Sequence, residues 1–275
     1  MSFETEQINI DDDDRTEQVR FHFGRVYNIM RELRRQCPWD REQTHDSLRP
    51  YLLEEAYEVL EMLDERRYDD LRKEMGDLLL QILFHTRLTE ETGTFDMADV
   101  LRSLSDKLIR RHPHVFGEVT ANSSDQVLTN WERIKLNEAD RESVLDGVPR
   151  TLPALVRASR MQEKASRVGF DWGKIEEVWP KVFEELQELQ EAAPGLDPDR
   201  IEDELGDVLF SIVNISRFLK VNPEDALRRT IDKFNRRFRY VEKQFKMAGK
   251  EMQEATLAEM DEFWEEAKRL EKDQA

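Results

Sequence analysis

The chain has 275 residues, enough for one large or two medium-sized domains with hydrophobic cores. Its formal net charge of −18 argues against a nucleic-acid backbone or an anionic membrane as the main partner. A single cysteine, Cys37, excludes an internal disulfide, and no apolar stretch approaches the ~20 residues that span a bilayer. The start lacks a basic segment followed by an apolar one, so we expect a cytoplasmic protein.

The composition favours helices. Only 10 Gly and 9 Pro occur, against 37% charged residues, and Leu, Glu, Arg and Lys recur in short apolar periods. No sustained alternation of apolar and polar residues is bounded by turn signals, so strands should be few or absent. The sequence therefore predicts an all-α protein.

The first half of the chain is predicted to hold one helical domain. Residues 1–20 are acidic with almost no apolar content, which is typical of a mobile tail. The fold should begin near Phe21 with a helix to Gln36 that stops at Cys37-Pro-Trp-Asp40, because proline disfavours helical geometry in the residue before it. Further helices are expected at about 46–66, 68–91 and 96–111 and, after a polar loop at 120–125, around Trp131.

A linker is predicted at 147–154, where Gly147, Pro149 and Pro153 cluster. It separates a first domain, 21–146, from a second, 155–275. In the second domain a turn is expected at Gly169-Phe-Asp-Trp172. The predicted helices are 155–168, 176–193, 199–219, 223–248 and 256–271.

An acidic pattern occurs once in each half. Glu54-Glu-x-x-Glu58 precedes Glu74-x-x-Asp77, and Glu184-Glu-x-x-Glu188 precedes Glu204-x-x-Asp207 at the same separation. Each second motif runs directly into an apolar helix, where an unpaired carboxylate is costly to bury. Acids three apart share a helix face, so two such helices packed together would aim four carboxylates at one point. The pattern predicts a site for a hard divalent cation, the alternative being a solvated helix face.

A second pair of motifs supports a duplication. Ser105-Asp-Lys107 with Arg110-Arg111 parallels Ile231-Asp-Lys233 with Arg236-Arg237. The duplicated unit is roughly 120 residues long, far longer than a solenoid repeat. We therefore predict tandem helical-bundle domains.

Magnesium suits these acids best, with manganese as a substitute, because both take oxygen ligands. All five histidines and the cysteine precede the second repeat, which leaves zinc without its usual ligands there. A ferritin-like di-iron centre needs Glu-x-x-His pairs and fails in the second repeat for the same reason.

Several side chains could bind an anionic substrate beside the metal. Lys181 shares a helical face with Glu185 and Glu188, and Asn214 continues the polar line that begins at Glu204. Basic side chains opposite the metal would neutralise the charge of a phosphate chain and donate hydrogen bonds to it. The alternative is that the basic side chains belong to an ordinary solvated helix face. Trp131 and Trp264 are either core residues or platforms for a base. The remaining basic candidates are Lys233, Arg236 and Arg237.

The chain resembles the MazG family of nucleoside triphosphate pyrophosphohydrolases, in the all-α NTP pyrophosphatase superfamily. Beside the two acidic patterns and the tandem second copy, three strings carry the resemblance: Cys37-Pro-Trp-Asp40, Thr44-His-Asp-Ser-Leu48 and Arg111-His-Pro-His-Val-Phe116. The match covers nearly everything after residue 20.

This resemblance implies magnesium-dependent cleavage of NTPs and dNTPs between the α and β phosphates, and a homodimer. It implies substrate contacts from Lys181, Lys233, Arg237 and Trp264. The implied metal ligands are Glu55, Glu58, Glu74 and Asp77 in repeat one, and Glu185, Glu188, Glu204 and Asp207 in repeat two.

We expect the second repeat to carry most of the hydrolysis. Counting from the acidic motifs, Tyr51 and Phe84 of repeat one stand where repeat two has Lys181 and Asn214. The catalytic candidates are Glu184, Glu185, Glu188, Glu204 and Asp207, with Glu184 or Glu188 as the proton acceptor.

The sequence leaves three other functions open. One is a pyrophosphatase of the same superfamily with a narrower substrate, such as dUTP or a modified dNTP. Another is cleavage of a guanosine polyphosphate. The third is a non-catalytic helical scaffold whose acids lie on the surface.

Overall fold

The computed structural model describes residues 14–124, 126–127, 130–131, 134 and 143–273. All regular structure in these ranges is helical, which confirms the predicted all-α class. The chain divides into two compact units, residues 1–139 and 140–275. Among the described helices, none has the length and apolar character that crossing a membrane requires.

The first unit is built around a helical hairpin. The helices of this unit are α1 (Asp14–Gln36), α2 (Pro38–Glu42), α3 (His45–Glu65), α4 (Tyr68–Glu91), α5 (Met97–Arg111) and α6 (Pro113–Phe116). Helices α3 and α4 form the hairpin and are separated by only two residues, of which Arg66 adopts a left-handed conformation that closes the turn. Helices α1 and α5 pack on α4.

Local signals fix where these helices start. Thr44 accepts a hydrogen bond from the Ser47 backbone N–H and Ser47 returns one, which is a capping box for α3. Asp96 and Asp99 do the same for α5. The core lies between α1, α3, α4 and α5. Its buried side chains are Met30, Leu48, Leu83, Phe84, Leu88 and Met97.

The second unit repeats the helical hairpin. Its helices are α7 (Ala154–Ser166), α8 (Trp179–Ala192), α9 (Pro198–Phe218), α10 (Pro223–Met247) and α11 (Leu257–Asp273), with 3₁₀ turns at Ile175–Glu177, Ala193–Gly195 and Met252–Glu254. Helices α8 and α9 form the hairpin, α7 packs on α9 and α10, and α10 pairs with α11. Val178, Val182 and Ile215 are buried together where α8 meets α9, and the ring of Phe218 packs against them.

Two predicted boundaries differ from the structure. Helix α1 begins at Asp14, not near Phe21, because the acids of its first turn suit a helix N-terminus and Glu17 pairs with Arg20. The stop predicted at Cys37 is real, but Pro38 starts a new short helix at the first helical position, which proline favours. The first thirteen residues, and most of the helix predicted around Trp131, lie outside the described residues.

The division between the units precedes the predicted linker. The buried Lys164 donates from Nζ to the carbonyl oxygens of Val144 (3.1 Å) and Asp146 (3.0 Å). Residues assigned from the sequence to the end of the first domain are therefore attached to the second unit.

Candidate active site

The second unit brings three carboxylates together. Glu185 and Glu188 share a face of α8, and Glu204 comes from α9, which packs against it. One oxygen from each lies within 4.8 Å of the others. Glu185 is the most enclosed of the three, with 6% of its surface exposed. They are three of the four acids that the sequence pattern predicted would converge in this unit.

Lys181 is the counter-ion of this cluster. Its Nζ lies 2.8 Å from Glu184 Oε1 and 2.8 Å from Glu185 Oε1. The hydrogen bonds to Glu184 and Glu185 raise the pKa of Lys181, so the amine stays charged. Glu184 itself is exposed and lies outside the three-oxygen group.

The acids of this cluster repel one another despite the lysine. Desolvation raises the pKa of Glu188, and a hydrogen bond shared with Glu185 and the charges of Glu185 and Glu204 raise it further. A cation bound among these oxygens would relieve both effects. Carboxylate oxygens without sulfur or imidazole are the donor set of a hard divalent ion, so the residues fit magnesium.

The first unit repeats the cluster with Glu55, Glu58 and Glu74, all half-buried. Desolvation, then the charges of Asp77 and Glu58, raise the pKa of Glu55. In each unit, burial and neighbouring acids therefore raise the pKa of one clustered glutamate.

The fourth acid of each predicted set stands apart. Asp77 and Asp207 are exposed and lie outside the three-oxygen groups. Asp207 lines a neighbouring cavity, and Asp77 acts on Glu55 through its charge. The structure thus shows three clustered carboxylates and one peripheral acid in each unit.

A cavity of about 340 Å³ adjoins the acids of the second unit. Lys181, Glu185 and Asp207 line it beside the buried Asn214, whereas Glu204, where the polar line predicted from the sequence begins, is not among the lining residues. Its other polar lining residues are Gln162, Asp171, Ser211 and Arg217. Its apolar lining is Leu145, Met161, Ala165, Phe170, Trp172, Val178 and Phe210.

An ion pair holds a loop that lines this cavity. Arg217 Nη1 donates to Asp171 Oδ2 at 2.9 Å, and Arg217 also donates to Asn214 Oδ1 from Nε (3.2 Å) and Nη2 (2.9 Å). Its guanidinium stacks on Phe218 at 4.6 Å. The predicted turn at 169–172 is thereby fixed to α9.

Sequence reasoning missed Gln162 and Arg217. Both are polar residues on helices that bury an apolar face. A polar residue in such a helix was the signal in the sequence that could have indicated a site.

The four remaining predicted substrate-binding residues form a separate group. Arg237 Nη2 lies 2.7 Å from Glu271 Oε2, and its guanidinium lies 5.7 Å from the Trp264 ring centre. Arg236 Nε lies 3.6 Å from Glu271 Oε1, and Lys233 is half-buried on the same helix, α10. None of Lys233, Arg236, Arg237 and Trp264 is among the residues that line the cavity.

Aromatic contacts occupy the equivalent region of the first unit. Trp39 makes edge-to-face contacts with Tyr51 and with Phe84, each at 6.4 Å between ring centroids. These two residues stand where the second unit has Lys181 and Asn214, so the first unit lacks that cation and that amide.

Comparison with known proteins gives a consistent result. Residues 43–116 and 174–241 each match a family model described as the MazG nucleotide pyrophosphohydrolase domain. The nucleoside triphosphate pyrophosphohydrolase/pyrophosphatase MazG of Thermotoga maritima is 47% identical over 250 residues, covering 90% of this chain and 95% of that protein. The nucleoside triphosphate pyrophosphohydrolase of Escherichia coli K12 is 44% identical over 257 residues, covering 90% of this chain and 98% of that protein. Each matched segment contains one carboxylate cluster, which confirms the tandem duplication.

Proposed function

Because the chain belongs to the MazG nucleotide pyrophosphohydrolase family, and is therefore a hydrolase, we propose that it converts NTPs and dNTPs to monophosphate and pyrophosphate by cleavage between the α and β phosphates. The observation that supports this most directly is the carboxylate cluster of the second unit, which borders a cavity beside a charged lysine. Metal-binding acids and a cation at one cavity are the groups that phosphoryl chemistry needs.

Glu185, Glu188 and Glu204 would hold magnesium in the second unit, with Asp207 at the edge of the set, and Glu55, Glu58, Glu74 and Asp77 would do so in the first. When bound, the ion supplies charge neutralisation for phosphate oxygens and a more acidic water. Manganese has similar ligand preferences and would substitute.

Glu188 is the better placed proton acceptor. Glu184 is already engaged by Lys181, whose Nζ donates to its Oε1 at 2.8 Å, which leaves Glu188 of the two candidates. In this mechanism a carboxylate oxygen of Glu188 accepts the proton of the attacking water. Lys181 donates to the phosphate chain, and its charge stabilises the departing pyrophosphate.

We also propose a homodimer. Phe183 and Leu186 on α8, Leu209 on α9, and Ile231 and Phe234 on α10 are large apolar side chains exposed in the second unit. Apolar surface of this extent is typical of an interaction surface. Lys233, Arg236, Arg237 and Trp264 would contribute to substrate binding in that assembly. Light scattering of the purified protein tests the proposal, since a monomer at working concentration would contradict it.

Product analysis tests the reaction. The chain is incubated with ATP or dATP and magnesium, and products are separated by ion-exchange chromatography. Monophosphate plus pyrophosphate is expected, whereas diphosphate plus phosphate would show that a different bond is cleaved. EDTA should abolish turnover.

A pair of double variants tests which unit is active. We expect Glu185→Ala with Glu204→Ala to remove most activity, and Glu55→Ala with Glu74→Ala to leave most of it, because only the second unit pairs its acids with Lys181. The reverse result would assign the reaction to the first unit.

A further inference from the structure

We propose that Lys164 is a positioning residue for substrate binding, because it fixes the segment 143–149 as one wall of the cavity in the second unit. The inference rests on the proposed hydrolysis of nucleotides and names a residue that acts on the cavity through its wall. It follows from two hydrogen bonds of a buried lysine and from the place of Leu145 between their acceptors.

Lys164 is the buried partner in this contact. The residue lies on α7 and is only 8% exposed. Its Nζ donates to the Val144 carbonyl oxygen at 3.1 Å and to the Asp146 carbonyl oxygen at 3.0 Å. An ammonium group is costly to bury unless it is hydrogen-bonded, and hydrogen bonds from a charged donor are strong. The segment before α7 therefore supplies acceptors that the lysine needs, and the lysine in turn holds the two carbonyls in place.

The segment forms a turn with hydrogen bonds of its own. The Ser143 backbone N–H donates to Asp146 Oδ2 at 3.0 Å, and the Asp146 N–H donates to the Ser143 carbonyl oxygen at 3.1 Å. The Leu145 N–H donates to Ser143 Oγ at 3.2 Å. These bonds join the turn to itself, whereas the two bonds from Lys164 join it to α7. The shape of the turn is thus set locally, and Lys164 determines where the turn lies.

This turn brings Leu145 to the cavity. Leu145 is half-buried and lines the cavity together with Met161 and Ala165 of α7. The two carbonyls that Lys164 binds belong to the residues on either side of Leu145, so the lysine holds the lining residue from both sides. All three lining residues precede the matched segment 174–241. The wall therefore comes from outside the two helices that carry the acids.

The wall is fixed to the helix that carries part of the acidic set. Gln162 Nε2 donates to the Phe210 carbonyl oxygen of α9 at 2.9 Å, and α9 also carries Asp207, which lines the same cavity. Helix α7 is thereby attached to α9, and Lys164 attaches the turn to α7. A wall held in advance lowers the conformational cost of binding a ligand. Loss of the Lys164 bonds should therefore weaken substrate binding more than it slows the step at the acids.

The first test separates binding from chemistry. KM and kcat for ATP with magnesium are measured for Lys164→Met, which keeps the unbranched stem and removes the ammonium group. We expect KM to rise roughly 10-fold and kcat to change less than about 2-fold, the pattern of an interaction present equally in the ground and transition states. The matched control is Lys243→Met, an exposed lysine on α10, which should leave both constants unchanged. Lys164→Arg keeps a cationic donor and should restore KM in part.

An unchanged KM in Lys164→Met, or a loss confined to kcat, would overturn the proposal. If that variant does not fold, Leu145→Ala tests the same wall, because it shortens the lining side chain itself at a half-buried position. Its KM should rise by roughly 4-fold or more, the equivalent of one buried methylene group. An unchanged KM in this variant would also overturn the proposal.

A second measurement needs no turnover. Amide hydrogen exchange of peptides covering 143–149 is followed by mass spectrometry, with and without magnesium and adenosine 5′-(α,β-methylene)triphosphate. The analogue should slow exchange in the unaltered protein, and Lys164→Met should speed it roughly 10-fold in the absence of the analogue. If the analogue protects 143–149 but ATP is not cleaved, the proposed hydrolysis fails while the wall stands. If ATP is cleaved but the analogue leaves this exchange unchanged, the wall fails while the proposed hydrolysis stands.

Discussion

Neutralising Glu185 should remove the stabilisation that magnesium gives to the second unit while costing the metal-free protein little. Glu185→Gln keeps the size of the side chain and removes its charge. In the metal-free protein the loss is the ion pair with Lys181, whose side chain is 40% exposed. The lysine end of this pair is open to solvent although the Glu185 side chain is only 8% exposed, so the pair contributes on the order of 1 kcal/mol.

The loss in the presence of magnesium is larger. An ion that binds only the folded state stabilises it by about 2.7 kcal/mol at a free concentration 100 times its Kd. For a domain of this size each kcal/mol shifts Tm by roughly 3–5 °C, so magnesium should raise Tm of the unaltered protein by roughly 10 °C. Glu185→Gln removes a ligand from one cluster and Glu55→Gln from the other.

Thermal unfolding followed by circular dichroism, in EDTA and in excess magnesium chloride, measures both effects. Each single variant should reduce the magnesium-induced shift, and the double variant should lose it. Glu191→Gln, an exposed acid on α8 outside the cluster, should keep the full shift. If the double variant kept the full shift, the two carboxylate clusters would not be the magnesium sites.

Three further outcomes follow from the structure. Desolvation, then the charge of His45, lowers the pKa of the His85 imidazole, so this side chain binds a proton more tightly in the unfolded chain than in the folded one. The free energy of unfolding, measured in urea, should therefore fall as the pH is lowered through about 6.5. The variant His85→Asn should show a weaker dependence on pH. Gly169 has φ +88°, which a side chain disfavours, so Gly169→Ala should cost about 1 kcal/mol and raise KM through the cavity loop; an unchanged Tm and KM would contradict this. Leu83 is 2% exposed in the core of the first unit, and Leu83→Ala should cost about 2–5 kcal/mol in urea unfolding, a loss below 1 kcal/mol being inconsistent with that packing.

Local information in the sequence was sufficient for most helices and for the acids. The helix predicted at 68–91 is observed at Tyr68–Glu91, because apolar periodicity extends along its whole length. The carboxylate clusters were predictable because residues three apart share a face and a short connection forces neighbouring helices to pack. Both inferences need only short-range geometry.

Long-range packing decided what the sequence could not show. Gln162 reaches the cavity because α7 packs on α9, and Asp171 meets Arg217 although they lie 46 residues apart. Helical periodicity placed Lys233 and Arg237 on one face, but it did not indicate that Arg237 would pair with Glu271. A residue's face is encoded locally, whereas the element that meets that face depends on the whole fold.

The ammonium group of Lys181 would make metal loading an exchange process. Its two 2.8 Å contacts already compensate part of the local negative charge, so a divalent ion at the Glu185 oxygen would compete with a tethered monovalent one. Lys181 would then keep its contact with Glu184 and still line the cavity, where its charge would attract an anionic substrate. On this basis we expect the metal to enter before the nucleotide. Rapid mixing of metal and nucleotide in either order would resolve that sequence as a lag.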